Sequence, residues 1–282
     1  MQRDVSARMV FDSAGSGNAV LAIAVAGLHV GTDDGPGAAA AVERLVVEQD
    51  GRPLDVRELP DGHGGRLHCF DWSAGEVTVE YSASVVGSLP AAHLDALDEI
   101  RYVRPSRYAE SDRLRATALA EFGGLAEFTG LGGAGAELLV DAVVAWVRSR
   151  IDYVLGSSIG THSALDTLLE RRGVCRDFAH LTVALLRALD VPARVVSVYA
   201  PGLSPMDFHA VVEVAVGGAW HVVDPTGLAP RGALLRIATG RDAADTAFLT
   251  THGANVGFRS LEIMATADHL PVDDGAALVV LH

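Results

Sequence analysis

Through the first 88 residues, apolar and polar positions alternate in short runs. "ARMVFDS", "NAVLAIAVAG", "ERLVVEQDG", "RLHCFDW" and "EVTVEYSASVV" are rich in valine and aromatics, and the clusters "DDGPG", "QDGRP" and "DGHGG" separate them. Period-two runs bounded by turn residues predict strands, and several in succession predict a small antiparallel sandwich. "GSLPAAHLD" changes the texture, and from residue 90 the period becomes helical. "SDRLRATALAEF" opens on a Ser-Asp cap, and "ELLVDAVVAWVRSRI" places Leu138, Val144 or Ala145, and Val147 with Ile151 on one face. "GGLAEFTGLGGAG" between them reads as a loop. A further amphipathic helix is predicted from Cys175 to about Ala188, with Phe178, Leu181, Leu185 and Leu189 as its apolar stripe; Asp190-Val191-Pro192 ends it. Strand patterns return in "ARVVSVYAPG", "FHAVVEVAVGG" and "AWHVVDPTG". The pattern is α+β: a β-sandwich over 1–88, a second domain over 89–268 with helices preceding an antiparallel sheet, and a strand or tail over 269–282.

The last two strands carry a geometric consequence. If Gly217-Gly218 form a two-residue turn, Val211 lies opposite Asp224 and His209 opposite Thr226. His209 and Asp224 are then diagonal neighbours on one face, roughly 7–8 Å apart at Cα, which their side chains can close. The opposite face of the first strand, Ala210, Val212, Val214 and Val216, is apolar throughout, as packing on a core demands. Asp224 precedes a proline that ends the pairing. Cys175 follows a Gly-Val step at a predicted helix start, where the positive end of the helix dipole favours a thiolate. A thiolate nucleophile needs an imidazole to partner it, and the imidazole needs a third group to fix its tautomer. Cys175, His209 and Asp224 supply those three roles.

Composition removes other classes. Acidic residues outnumber basic ones by 36 to 22, a formal charge of -14, which argues against a nucleic-acid partner. No apolar run approaches the roughly 18 residues of a membrane span, and the N-terminal segment lacks a signal-peptide core, so a soluble, cytoplasmic protein with no membrane partner is expected. The two cysteines lie far apart and form no disulfide framework; Cys69 reads as a packed strand residue. No His-Glu-x-x-His, Cys-x-x-Cys or calcium-loop spacing occurs, so neither metal nor cofactor is expected.

"RRGVCRDFAHL", "LDVPARVVSVY", "DFHAVVEVAVGGAWHVVDPTG" and "GRDAADTA" together resemble the bacterial transglutaminase-like superfamily, a papain-like cysteine enzyme fold, over about residues 90–265. "YVRPSRYAESDRL" resembles the segment joining that domain to the N-terminal β-region of one bacterial branch. The resemblance implies Cys175 as nucleophile, His209 as general acid and base, and Asp224 as orienter, with Asp177, His180 and Thr226 near the site. On the residues alone, Asp177 sits in the first helical turn, where the dipole favours a carboxylate. His180 is off the helix face of Cys175 and reads as a packed or hydrogen-bonded histidine, and His162 with Ser163 read as capping the helix running into "TLLERRG", with a place bordering the cleft as the alternative. The expected activity is acyl-enzyme chemistry on a peptide or protein amide, ending in hydrolysis. The alternatives are transfer of the acyl group to an amine and a non-catalytic interaction module. A protein partner held by the N-terminal β-region is a further expectation.

Overall fold

The computed structural model describes residues 1–28, 40–126, 134–275 and 277–281. Among the described residues, the first part of the chain forms the strands β1 (Gln2–Ser13), β2 (Gly17–Leu21), β3 (Ala40–Gln49), β4 (Arg52–Pro53), β5 (Arg57–Pro60), β6 (Arg66–Trp72) and β7 (Gly75–Val86). Strand β1 buries Arg3, Val5, Ala7, Met9 and Phe11, every second residue, as a sheet with one covered face requires. Strands β1, β7, β3 and β4 lie in one sheet and β2, β6 and β5 in another. Phe11, Leu21, Phe70, Trp72, Val77 and Val79 fill the space between them.

The helical part follows: α1 (Ala96–Arg101), α2 (Ser111–Ala126), α3 (Ala134–Arg150), the short strand β8 (Asp152–Tyr153), α4 (Ala164–Glu170), β9 (Arg172–Gly173) and α5 (Cys175–Ala188). Helix α2 runs through Gly123 and Gly124, which the sequence pattern assigned to a loop; the rest of that stretch, 127–133, lies outside the described residues. Glycine weakens a helix by about 1 kcal/mol relative to alanine. Here packing outweighs it, because Phe122 is buried edge-on against Trp146 of α3 at 6.0 Å. On α3 the buried stripe is Leu139, Val140, Val143 and Val147, continued by Ile151 just past its end, while Leu138, expected on the inner face, is 64% exposed. Apolar residues occupy both sides of this helix, so periodicity alone left its rotation open. Helix α5 is covered all round rather than along one stripe: every residue from Asp177 to Ala188 is buried. Its buried Arg187 is satisfied by carbonyls, donating from Nε to Ala193 O at 2.8 Å and from Nη2 to Arg241 O at 2.8 Å.

A four-stranded antiparallel sheet completes the core. Strands β10 (Ala193–Tyr199), β11 (His209–Val216), β12 (Ala219–Val223) and β13 (Leu235–Gly240) lie in the order β12-β11-β10-β13. Val195, Val212, Val214 and Val216 pack against α5 and its helical neighbours. Val196, Val198, Val211 and Val222 face a smaller apolar cluster with Leu203, Leu234 and Leu281. Burial on both faces explains why these strands read as nearly continuous valine runs.

After the short helix α6 (Ala243–Thr246), the chain returns to the sandwich: β14 (Leu249–Gly253) pairs with β2, and β15 (Val256–Ala267) pairs with β1. The sandwich is therefore closed by residues that the sequence reading placed in the second domain, because a strand pattern identifies a strand and not its partner. The end of the expected strand "NAVLAIAVAG" also leaves its sheet. Ala22 to Ala26 are buried where the sandwich meets the four-stranded sheet, with Ala22 N donating to Phe248 O at 3.0 Å and Ala26 N to Arg236 O at 2.8 Å. Tyr199 of β10 donates its hydroxyl to Ile23 O at 2.9 Å across the same junction.

Candidate active site

The site is assembled where β9 enters α5 and where the β11–β12 hairpin opens beside it. Gly173 ends β9, and a Cβ there would stand 2.6 Å from Cβ of Asp177, so only glycine lets the strand approach the helix this closely. Val174, the residue before the helix, offers no capping side chain, and Asp177 does that work from the first turn: its Oδ2 accepts from Val174 N at 2.8 Å. Oδ1 accepts from Ser158 Oγ at 2.9 Å, tying the loop before α4 to the same turn. Asp177 and Phe178 donate their backbone N–H groups to Val174 O. The N–H groups of Cys175 and Arg176 belong to the helix turn that has no intrahelical acceptor, at the positive end of the dipole. Cys175 is partly exposed there.

Gly217 and Gly218 both have positive φ, 60° and 81°, and form the two-residue turn of the hairpin. The resulting register pairs Val212 with Val223. One step further along, the side chains of His209 and Asp224 converge: Nε2 lies 2.9 Å from Oδ2, with both residues buried. The second carboxylate oxygen accepts from the Thr226 N–H at 2.8 Å and the Thr226 hydroxyl at 2.7 Å. Arg148 of α3 anchors the same turn through Asp224 O at 3.0 Å. Burial raises the cost of charge on Asp224, but the bonds to His209 and Thr226 outweigh it and hold the carboxyl below its ordinary range. Burial likewise opposes the imidazolium of His209, yet the bond to Asp224 and the neighbouring Cys175 side chain push its pKa up to about 10. With Nε2 directed to Asp224, the buried Nδ1 is the nitrogen left for the thiol.

The structure thus brings Cys175, His209, Asp224 and Thr226 together, with Asp177 beneath the turn that carries Cys175. His180 is elsewhere. It is fully buried, accepts from Ala243 N at 3.1 Å through Nε2, stacks on Tyr108 at 5.6 Å, and is driven by burial to about 3, a neutral packing histidine. Ser163 is the N-cap of α4, in a reciprocal pair with Asp166, and His162 lies 3.9 Å from Glu170. Tyr153 was missed. It pairs with Gly173 in the short parallel ladder β8–β9, packs on Phe178 at 5.9 Å, and sets its hydroxyl against the backbone N–H of Cys175. A two-residue strand leaves no period to detect, so the sequence carried no signal for it. Among the described residues, no group of three or more His, Cys, Asp or Glu side chains could hold a metal ion, and no helix is long and apolar enough to cross a membrane.

A thiol at a helix N-terminus, set beside a strand-borne histidine and its carboxylate, is the arrangement of the papain-like cysteine enzyme fold. The Transglutaminase-like superfamily is matched over residues 129–225. A crystal structure of a "putative cysteine protease" from Cytophaga hutchinsonii superposes with a TM-score of 0.82 at 30% identity, covering 99% of this chain and 96% of that one. The chain belongs to the transglutaminase-like superfamily, and both the fold and this relative support cysteine-based catalysis. An uncharacterized protein of Mycobacterium leprae is 34% identical over 145 residues, 46% of this chain and 50% of that protein, so the match spans half of its relative's length. The periplasmic domain of TgpA from Pseudomonas aeruginosa is 20% identical with a TM-score of 0.41, over 77% of this chain and 93% of that domain.

Proposed function

We propose that the protein is a cysteine amidase or peptidase that works through an acyl-enzyme on Cys175. The observation that carries this reading is the His209 ring, held by Asp224 on Nε2 and adjoining Cys175 on its other side at the start of α5. The thiolate attacks the amide carbonyl carbon, a C–S bond forms, and the carbonyl electron pair moves onto oxygen. The N–H of Cys175 and the hydroxyl of Tyr153, which adjoin one another at the start of α5, are the donors we assign to that oxygen; burial, with the neighbouring Cys175, pushes Tyr153 up to about 12, so it keeps its proton. His209 gives its proton to the leaving nitrogen as the C–N bond breaks. It then takes a proton from water attacking the thioester, and the acid leaves as the thiolate re-forms.

Water is the acceptor we favour, because it is present at far higher concentration than any amine. Transfer to an amine would use the same three residues. Both cysteines are free thiols, which suits the reducing cytoplasm we assign to the protein.

The test is the rate of iodoacetamide modification at Cys175 and Cys69 between pH 4 and 9, resolved by peptide mass spectrometry, in the wild type and in His209→Ala. Rapid modification of Cys175 near pH 6 that is lost without His209, with Cys69 unchanged, is the expected result. A Cys175 that behaves like Cys69 in both proteins would overturn the reading. Acyl-enzyme partitioning between water and added amine, read from product masses, then separates hydrolysis from transfer.

A further inference from the structure

Four large apolar side chains stand in the open on one short segment beside the nucleophile. Tyr153, Val154, Leu155 and Ile159 are 38%, 40%, 64% and 62% exposed. Single exposed apolar residues are common, but a loop tip of this kind is ordinarily polar and mobile. This one is fastened. Val154 N donates to Gly173 O at 2.9 Å, and Ser157 Oγ to Val154 O at 2.7 Å. Arg176 bonds Ser158 Oγ at 2.7 Å and Ile159 O at 2.8 Å, and Ser158 in turn donates to the buried carboxylate of Asp177. The residues that hold the loop are therefore the two that directly follow Cys175, so its position is set relative to the thiol.

We infer that Leu155 and Ile159 form a ledge that receives an apolar side chain of a polypeptide substrate next to the amide being cleaved, and that Ser158 is its positioning residue. This rests on the acyl-enzyme reading above. Two observations choose the occupant. The ledge adjoins the surface that presents Cys175 through the part-exposed Arg176, which bonds Ser158 and Ile159. The stretch from Tyr153 to Gly160, "YVLGSSIG", carries no charged side chain, and Arg176, which fastens it, is paired with Asp177 at 3.7 Å, so a charged substrate group finds no unpaired counter-ion on the loop itself. An apolar group loses water on the ledge, whereas a carboxylate or ammonium loses solvation without return.

The experiment uses the full chain and a set of acetyl-X vinyl sulfones, with X leucine, glutamine, glutamate or lysine, so that the X side chain adjoins the reactive carbon. The thiolate adds to the terminal vinyl carbon: a C–S bond forms, the C=C π bond opens, and the carbon next to the sulfone takes a proton from His209 or water, so intact mass gives the labelling rate at Cys175. The expected result is labelling by the leucine probe roughly 10–100-fold faster than by the glutamate or lysine probe. Leu155→Ser and Ile159→Ser each remove most of that ratio and Ser158→Ala removes part of it, while Leu138→Ser, on exposed α3 surface, retains it. Iodoacetamide, which has no side chain to place, reports the thiolate in the same samples and so separates loss of the ledge from loss of the nucleophile. Equal rates for all four probes with an activated Cys175, or a leucine preference that survives both serine variants, would overturn the inference. A dimer that those variants dissociate without changing the probe ratio would assign the ledge to a second copy instead. An unactivated Cys175 removes the ledge proposal together with the reading it rests on.

Discussion

Nε2 of His209 lies 2.9 Å from Oδ2 of Asp224, although their strands cease to pair one step earlier, at Val212 and Val223. The proline after Asp224 and the two bonds from Thr226 turn the carboxylate back toward the histidine where a continuing strand would carry it past. Asp224→Asn keeps the shape and removes the charge that stabilises the imidazolium. The acyl-transfer rate is expected to fall about 10²–10⁴-fold. The iodoacetamide profile of Cys175 should move to higher pH, and an unchanged profile would mean the pair does not serve the thiol. Thr226→Val, which removes one of the two donors to Oδ1, should give a smaller shift in the same direction.

Two of the buried histidines, His209 and His180, are shifted in opposite senses. His209, raised from 6.5 to about 10, binds its proton more tightly when folded, so its contribution is fully present below pH 6.5 and is lost as pH rises toward 10. His180, depressed from 6.5 to about 3, is neutral when folded, so its contribution is present above pH 6.5 and is lost as pH falls toward 3. Each limb has a limiting slope of about 1.4 kcal/mol per pH unit. Unfolding midpoints measured in urea across pH 4 to 10 should show His180→Gln flattening the acid limb and His209→Gln the alkaline one. Parallel profiles for wild type and variants would contradict this account.

Gly173 faces Asp177 so closely that an added Cβ would meet its Cβ at 2.6 Å. Gly173→Ala must push β9 away from the first turn of α5, at a cost of about 1–3 kcal/mol. Because Val174 and Cys175 follow directly, the thiol shifts as well. The expected outcome is a lowered melting temperature together with slower Cys175 alkylation at pH 6. A variant that loses stability alone would show that the turn tolerates the shift.

Glu213 is fully buried on β11 between two arginines, with Oε2 accepting from Arg194 Nε at 2.8 Å and from Arg236 Nη1 at 2.7 Å. Arg194 also lies 3.8 Å over the Trp220 ring and reaches His63 of the sandwich at 3.0 Å, so the cluster joins the two parts of the molecule. Glu213→Ala leaves two buried cations without their shared partner and should cost about 3–5 kcal/mol, read by chemical denaturation. Glu213→Met in combination with Arg194→Met and Arg236→Met should recover part of that loss, since the penalty belongs to the unpaired charges.

The hairpin register was legible in the chain because a Gly-Gly turn sets it and period two then decides which side chains share a face. That logic reached His209 and Asp224 without any tertiary information. The start of α5 at Cys175 was legible for a similar reason, since glycine stands just ahead of the helix and Asp177 lies where the first turn can use it. By contrast, the rotation of α3, the passage of α2 through Gly123 and Gly124, and the role of Tyr153 each depend on a neighbour remote in sequence.

Local patterns in the sequence determined most of the longer elements, the helix that starts at Cys175 and the face shared by His209 and Asp224, because backbone periodicity and turn chemistry act over a few residues. Tertiary structure alone decided that 249–267 close the sandwich begun by the first strands, that α5 is buried on every side, and that the loop holding Leu155 and Ile159 is fastened to Arg176 and Asp177. Each of these is a choice of partner, made by packing and by the pairing of buried polar groups between distant segments, and no local rule contains it.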